Sequence, residues 1–193
     1  MPIVPTHEGH GRRASDRAIL TVMAGPQVRT DIVDVYVFRR CDRRPGGTQT
    51  QFLQMRRRKG RMMGTWQPIM GHVQADETAV EAALREMAEE TGFRPNHRNS
   101  ALLGFWQLET VNTYFLAPDD CVMHSPCFAA EVTDQAEPVL DQAHDAHRWV
   151  RVDQVERLFL WPGQRAATEL ILRDLLPSNS LLAPYLRIDL YGR

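Results

Sequence analysis

Three glutamates lie within five positions near the middle of the chain, in the stretch LREMAEETGF: Glu86, Glu89 and Glu90. Residues spaced i, i+3 and i+4 are neighbours on one face of an α-helix. Two carboxylates about 6 Å apart repel each other by roughly 2–3 kcal/mol at an effective dielectric constant near 20. A hard divalent cation, which prefers oxygen ligands, reverses the sign of that energy. The spacing therefore indicates a metal site, although a solvated acidic helix face would also explain it.

The segment around these acids carries helix signals at both ends. Thr78 and Glu81 form the T-x-x-E pattern of a capping box, and Gly92 stands where a glycine ends a helix. At about 100° per residue, four side chains fall on the side of the helix away from Glu86: Val80, Leu84, Met87 and Thr91. The sequence thus predicts a helix with a buried face and an acidic face beside it.

Residues 71–93, GHVQADETAVEAALREMAEETGF, resemble the box of the Nudix family, G-x5-E-x7-R-E-U-x-E-E-x-G-U, where U is bulky and apolar. Every fixed position is filled: Gly71, Glu77, Arg85, Glu86, Met87, Glu89, Glu90, Gly92 and Phe93. The similarity extends to LQMRRR before the box and to HRWVRVDQV after it. On these residues the chain is identified as a member of that family.

The resemblance implies a hydrolase that cuts a nucleoside diphosphate linked to another group, with Mg²⁺ as cofactor and Mn²⁺ as a substitute. Glu86, Glu89 and Glu90 match the metal-binding acids of the box, and the Gly71 carbonyl is expected to complete the metal site. Either Glu86 or Glu89 is expected to orient or deprotonate the attacking water. Positioning and charge neutralisation are the main needs of such chemistry, and a metal site supplies both.

Two further residues of the box have implied roles. Arg85 and Glu77 match positions that pair to hold the preceding loop against the helix. Glu77 is therefore expected as structural support. Arg85 is expected to belong to the catalytic group together with Glu86 and Glu89.

The substrate-binding candidates are basic and aromatic. A cluster of Arg and Lys at residues 56–61 precedes the box, and Arg56 and Arg58 are the candidates for holding phosphates. A solubilising basic turn is the alternative for this cluster, and strand alternation lets only every second member face the same way. Trp149 is a candidate for stacking on a substrate ring, with burial in the core as its alternative.

Within the family, the sequence is most similar to the branch that hydrolyses dihydroneopterin triphosphate and dATP. The run WQPIMGHVQADET and the later segment AHRWVRVDQVERLFLWPGQRAATELI carry this similarity. That branch often has a Glu-His pair where this chain has Ala143 and His144, so Asp141 or Asp145 is expected to substitute for the acid. Markers of ADP-ribose and dinucleoside polyphosphate hydrolases, a Pro or Tyr at the position of Glu109, are absent.

The expected function is therefore Mg²⁺-dependent cleavage of a nucleoside triphosphate or dihydroneopterin triphosphate between the α and β phosphates. The products would be the monophosphate and pyrophosphate. The alternatives are an ADP-ribose or nucleotide-sugar hydrolase, and a Nudix-fold nucleotide sensor without catalysis. The sensor is disfavoured because every acid of the box is present.

The resemblance and the patterns along the chain predict an α+β fold, a Nudix-type α/β/α sandwich with a mixed central sheet. We expect a loose leader at residues 1–28, the catalytic domain at 29–176 and a tail at 177–193 that has no clear period. Outside the box helix, apolar and β-branched patterns predict the strands and one further helix. The strands are at residues 31–40, 51–58, 101–116, 126–133 and 146–152, and the helix is at 163–176.

The composition limits the partners. With 193 residues and a net charge of −1, the chain offers no global attraction to nucleic acid or to anionic membranes. No apolar run approaches the roughly 20 residues of a membrane span. The three cysteines follow no metal-binding spacing and suit a reducing compartment. We therefore expect a cytoplasmic enzyme, a monomer or homodimer, acting on a small phosphate anhydride without nucleic-acid or membrane partners.

Overall fold

The computed structural model describes residues 25–41, 49–95 and 101–190. Within these ranges eight strands form one mixed sheet with helices packed on both of its faces. The strands are β1 Gln27–Arg29, β2 Ile32–Cys41, β3 Gln49–Arg57, β4 Trp66–Gln67, β5 Ile69–His72, β6 Leu102–Leu116, β7 Cys121–Val132 and β8 His144–Arg151. The helices are α1 Ala79–Thr91, α2 Val155–Leu158, α3 Pro162–Leu170 and α4 Ala183–Leu186.

Strand β2 lies at the centre of the sheet. It pairs antiparallel with β3, parallel with β7 and, along its first residues, antiparallel with β5. β8 and β4 extend the sheet from β3, whereas β6 and β1 extend it from β7. Only the β1–β7 and β2–β7 pairs are parallel among these strands. The predicted α+β fold with a mixed sheet is thus confirmed.

The alternation of side chains along β2 divides the core into two layers. Val33, Val35 and Val37 point to the layer that packs against α1. Tyr36 and Phe38 point to the other layer, which packs against α3 and the segment after it. β2 is therefore apolar on both faces, as a central strand between two helical layers must be.

Helix α1 has the caps that its sequence predicts. The Thr78 hydroxyl accepts a hydrogen bond from the Glu81 backbone, and the Glu81 carboxylate accepts one from the Thr78 backbone. Gly92 ends the helix with φ of 76°, a left-handed conformation that favours glycine, and the next residue, Phe93, is buried. The buried residues of the helix are Ala82, Ala83, Met87, Glu90 and Thr91. Met87 and Thr91 were predicted to be buried, whereas the predicted Val80 and Leu84 are only partly buried against the core.

Several elements differ from the predicted ones. The segment between β3 and α1, for which no strand was predicted, contains β4 and β5, and β7 begins at Cys121 rather than at residue 126. Helix α3 is followed by a π-helical turn, Ile171–Leu175, within the predicted single helix. β4 has two residues and β5 has four, too few for an alternating apolar pattern, so periodicity alone did not predict them.

The two ends of the chain carry more structure than their sequences indicate. Residues 1–24 of the predicted leader lie outside the described residues, as do residues 42–48 between β2 and β3, but Gln27–Arg29 form β1. In the tail, α4 is followed by a hydrogen bond from the Ile188 backbone to the Phe105 carbonyl. None of the helices in the described part of the chain is long and apolar enough to cross a membrane. A cytoplasmic location stays a prediction.

Candidate active site

Arg85 joins helix α1 to the loop before it. Its guanidinium donates from Nε to Glu77 Oε1 at 2.8 Å and from Nη2 to Glu77 Oε2 at 2.9 Å. Nη2 also donates to the His72 carbonyl at 2.7 Å, at the end of β5. The Arg85 hydrogen bond, together with one that Glu77 accepts from the Gln74 backbone, lowers the pKa of the Glu77 carboxyl. The box loop is thus fastened at both ends by one side chain.

The same guanidinium reaches two of the three acids on the helix. Arg85 Nη1 donates to Glu86 Oε1 at 2.7 Å and to Glu89 Oε2 at 3.3 Å. Glu86 is the more enclosed of the two, with 15% of its side chain exposed against 56% for Glu89. Arg85 therefore neutralises part of the carboxylate repulsion that the spacing creates.

We expect Arg85→Lys to lower the free energy of unfolding by about 2 kcal/mol, because an ammonium cannot reproduce the forked contacts with Glu77 and the His72 carbonyl. Urea denaturation measures this effect. Arg173→Lys is the matched control, since Arg173 pairs with Asp174 on the surface with 70% of its side chain exposed. Equal stability of the two variants would contradict a structural role for Arg85.

Gly71 on β5 lies directly against the Glu86 side chain. A Cβ atom added at Gly71 would stand 1.9 Å from Glu86 Cδ and 2.4 Å from Glu86 Oε1. Gly71 pairs with Val33 in the sheet and is buried. The backbone dihedrals do not require a glycine here, but the close approach of carboxylate and strand does.

Glu90 is the buried member of the three acids. Only 5% of the residue is exposed, and its Oε2 atom has no hydrogen-bond partner among the described residues. Burial raises the pKa of Glu90 to about 9, with the charges of Glu86 and Asp141 acting in the same direction and that of Arg57 opposing them. In this environment the negative charge of the carboxylate is unfavourable, so the group is stabilised by binding either a proton or a cation.

The segment before β8 brings a further acid to this end of the helix. The Val139 backbone donates to the Thr91 carbonyl at 2.9 Å, which fastens the segment to the end of α1. Asp141 Oδ1 lies 2.8 Å from His144 Nδ1 and accepts from the Ala143 backbone at 3.1 Å. The His144 side chain is fully buried. Of the two acids considered from the sequence, Asp141 is thus the one whose charge acts on Glu90.

Asp145 occupies a different environment from Asp141. Its Oδ1 atom accepts a hydrogen bond from Arg56 Nε at 2.7 Å, in a pair that is exposed on both sides. This pairing lowers the pKa of the Asp145 carboxyl. Asp145 therefore forms an ion pair at the surface of the sheet and does not belong to the surroundings of Glu90.

The arginines before the box point in different directions. Arg56 pairs with Asp145, and its guanidinium lies 5.8 Å from the centre of the Trp66 ring. The Arg58 side chain is exposed, while its backbone donates to the Ala143 carbonyl at 2.8 Å.

Arg57 has a buried Nε atom without a partner in the described structure, and its charge acts on Glu90. The sequence analysis did not select Arg57, because the alternation of side chains along a strand does not show which face of the strand is turned towards the acids of α1.

Trp149 lies on β8 opposite Leu53 of β3. The Arg39 guanidinium covers its ring at 4.0 Å, and the ring nitrogen donates to Glu137 Oε2 at 3.3 Å. These contacts give Trp149 a structural role in the sheet. Stacking of its ring on a substrate stays a prediction.

The acids of the box fit a hard divalent cation by the chemistry of their donors. As they stand, no three acidic, histidine or cysteine side chains in the described ranges meet closely enough to hold a metal ion. Arg85 engages oxygens of Glu86 and Glu89, whereas the buried Glu90 Oε2 atom is unpaired. Carboxylate oxygens beside a strand backbone are the ligands that Mg²⁺ and Mn²⁺ prefer. The residue set therefore suits such an ion.

Comparison with known proteins supports a common fold. The family model of the NUDIX domain matches residues 30–171. An octanoyltransferase from Myxococcus xanthus is 34% identical over 118 residues, which cover 58% of this chain and 30% of that protein. Phosphatase NudJ of Escherichia coli strain K12 is 34% identical over 94 residues, which cover 47% of this chain and 54% of that protein. The chain thus spans about half or less of the length of these curated relatives.

Solved structures agree with the family match. The NUDIX domain of Shewanella oneidensis NrtR, complexed with ADP ribose, superposes with a TM-score of 0.57 at 18% identity. The superposition covers 77% of this chain and 88% of that chain. NrtR has also been crystallised with a 27mer DNA, so the expected absence of a nucleic-acid partner stays a prediction. At this level of identity the likeness shows the fold alone.

Proposed function

The chain belongs to the NUDIX family, and on this premise we propose that it is a divalent-metal-dependent pyrophosphohydrolase. It cleaves a nucleoside triphosphate or dihydroneopterin triphosphate between the α and β phosphates and releases the monophosphate and pyrophosphate. The observation that carries the proposal is the buried Glu90 carboxyl, whose Oε2 atom is unpaired in the described structure, on the same helix as Glu89 and as Glu86, which lies against β5. Such a group is costly to keep without a cation or a proton.

The metal ion would be held by Glu86, Glu89 and Glu90 together with the Gly71 carbonyl. When bound, Mg²⁺ neutralises phosphate charge and lowers the pKa of coordinated water. Arg85 positions Glu86 and Glu89 through its hydrogen bonds, and β5 limits the movement of Glu86. Either Glu86 or Glu89 accepts the proton of the attacking water.

The phosphates of the substrate are bound by arginines that precede the box. Arg56 and Arg58 remain the proposed contacts from the sequence, and Arg57 joins them because its charge reaches Glu90. Trp149 remains the proposed stacking residue for the substrate ring. A planar guanidinium binds phosphate oxygens in pairs, which gives both attraction and orientation.

We propose that Asp141 is the acid that replaces the missing glutamate of the branch. Asp141→Asn is expected to weaken Mn²⁺ binding and to lower kcat by roughly 10–100-fold, because it removes a charge from the surroundings of Glu90. The matched control is Asp145→Asn, which breaks only an exposed pair and should change both quantities by no more than about twofold. Calorimetric titration with Mn²⁺ and steady-state kinetics provide the two readouts. The reverse order of effects would assign the role to Asp145.

A substrate panel with Mg²⁺ tests the proposed function. It contains dihydroneopterin triphosphate, the common nucleoside triphosphates, ADP-ribose, a nucleotide sugar and diadenosine polyphosphates. Pyrophosphate release from triphosphates supports the proposal. Turnover confined to ADP-ribose or the nucleotide sugar would overturn the substrate class while keeping the metal site. Binding without turnover of any compound would favour the nucleotide sensor and contradict the enzyme.

A further inference from the structure

A bulge in β8 decides which of its residues faces the acidic helix. In the β3–β8 ladder Arg56 pairs with Ala146 and Arg57 pairs with His144, so Asp145 is an additional residue without a partner in the ladder. A β-bulge of this kind changes the direction of the side chains on the bulged strand. Residues directly opposite each other in an antiparallel pair point to the same face of the sheet. His144 therefore lies on the same face as Arg57.

That face is the one covered by α1. Met55, two residues before Arg57 on β3, belongs to the core layer that packs against α1. The charge of Arg57 acts on Glu90 of that helix, and the His144 side chain is fully buried. The bulge therefore places a histidine in the region beside Glu90 and leaves Asp145 exposed at the surface.

His144 has one polar contact in the described structure. Its Nδ1 atom lies 2.8 Å from Asp141 Oδ1, whereas Nε2 is buried without a hydrogen-bond partner among the described residues. Because an ionised carboxylate only accepts hydrogen bonds, Nδ1 carries the proton and donates it to this bond. A phenyl ring would fill the same space without leaving a nitrogen unpaired, so packing alone does not account for a histidine here.

Asp141 is held through one of its two oxygens. Oδ1 accepts hydrogen bonds from His144 Nδ1 and from the Ala143 backbone, and Oδ2 forms none within the described ranges. The Ala143 carbonyl accepts from the Arg58 backbone, which fastens this turn to the end of β3. The carboxylate is thus fixed with one oxygen free for a further ligand, and its charge acts on Glu90.

We propose that His144 is a positioning residue of the metal site, which donates to Asp141 and keeps the free carboxylate oxygen available to the cation. The inference rests on the proposed function, in which Asp141 replaces the missing glutamate, and extends it by naming the side chain that holds Asp141. A carboxylate that is already fixed loses less conformational freedom when it binds a cation. Donors that orient metal-binding groups in this way contribute to metal affinity without touching the metal.

The test is a calorimetric titration of the metal-free full chain with Mn²⁺ in the absence of substrate. His144→Phe keeps a ring of similar size but removes the donor, and it should weaken Mn²⁺ binding by about 10-fold. His144→Asn keeps an N–H donor at the same number of bonds from the backbone as Nδ1, so it should bind Mn²⁺ more tightly than His144→Phe. His144→Gln moves the amide to the position of Nε2 and should bind as weakly as His144→Phe.

Urea denaturation of the same metal-free variants separates positioning from packing. His144→Asn leaves a cavity, so it should be less stable than His144→Phe, the reverse of the order in Mn²⁺ affinity. If His144 acted through packing alone, the two orders would agree.

His147→Phe is the matched control. His147 lies on the same strand, and its Nε2 atom stands 3.0 Å from Glu137 Oε2 in a pair that is exposed to solvent. Removing this histidine–carboxylate contact should change Mn²⁺ affinity by no more than about twofold. A loss equal to that of His144→Phe would show that the effect is not specific to the pair with Asp141.

A double-mutant cycle tests whether His144 acts through Asp141. In the Asp141→Asn background, His144→Phe should cause no further loss of Mn²⁺ affinity. Additive losses, or wild-type affinity in His144→Phe while Asp141→Asn binds weakly, would overturn the positioning role. Wild-type affinity in Asp141→Asn would contradict the assignment of Asp141 and the role of His144 together. Because no substrate is present, a chain that hydrolyses no triphosphate but keeps this coupling would contradict the proposed reaction alone.

Discussion

Glu90→Gln is expected to lower metal-dependent turnover by about 10³-fold while leaving the fold unchanged. The substitution replaces a buried carboxyl with an amide of the same shape, so the packing of α1 is kept. One oxygen of Glu90 has no partner in the described structure, so no intramolecular hydrogen bond of that atom is lost. What disappears is the negative charge that a divalent cation needs. Steady-state kinetics with Mg²⁺ measures the loss.

Thermal unfolding with and without Mg²⁺ separates this effect from misfolding. Without metal, Glu90→Gln should unfold at about the temperature of the wild type or higher, because an uncompensated buried carboxyl is removed. With metal, the wild type should gain stability and the variant should not. Glu131→Gln is the control for the loss of a buried carboxylate elsewhere and should keep the metal response. Turnover near the wild-type rate in Glu90→Gln would exclude Glu90 from the metal site.

Gly71→Ala has the second largest expected effect. The new Cβ atom would stand 1.9 Å from Glu86 Cδ, so either the carboxylate or the strand must move. We expect kcat to fall by about 10²-fold because Glu86 leaves its position, and stability to fall by about 1–3 kcal/mol because the site is overpacked. Kinetics and urea denaturation measure the two changes.

Gly25→Ala is the matched control for this substitution. Nothing lies within 4 Å of a Cβ atom at Gly25, and its backbone does not adopt a positive φ. It should therefore leave both kcat and stability unchanged. A Gly71→Ala enzyme with the wild-type kcat would show that Glu86 does not need the contact with β5.

Much of the fold could be predicted because local signals agreed with each other. The capping box at Thr78 and the glycine at residue 92 mark both ends of α1, and the structure has the helix between them. The apolar run of β2 predicts a strand buried on both faces, and Val33 and Tyr36 do point into different layers. Such elements can be predicted from the sequence because the capping residues, the apolar pattern and the turn residues all indicate the same structure.

The parts that could not be predicted depend on the direction of side chains. Arg56 and Arg57 are adjacent in the sequence, but only Arg57 acts on Glu90, and a bulge interrupts the pairing between them. Asp141 and Asp145 are equally good candidates until the backbone of the segment before β8 is known. Asp34 is buried on β2 and accepts a hydrogen bond from Asn112, but it gave no signal because a single acid in an apolar strand forms no pattern. Its partner Asn112 is distant in the sequence.

The most direct test of the central claim is to follow GTP and dihydroneopterin triphosphate by phosphorus NMR with the full-length chain and Mg²⁺. The acidic helix predicts that monophosphate and pyrophosphate form from at least one of the two, and that a chelator stops the reaction. Orthophosphate and a diphosphate as products would place the cleavage between the β and γ phosphates and contradict the proposed reaction. Unchanged spectra of both compounds would contradict hydrolysis of these triphosphates altogether.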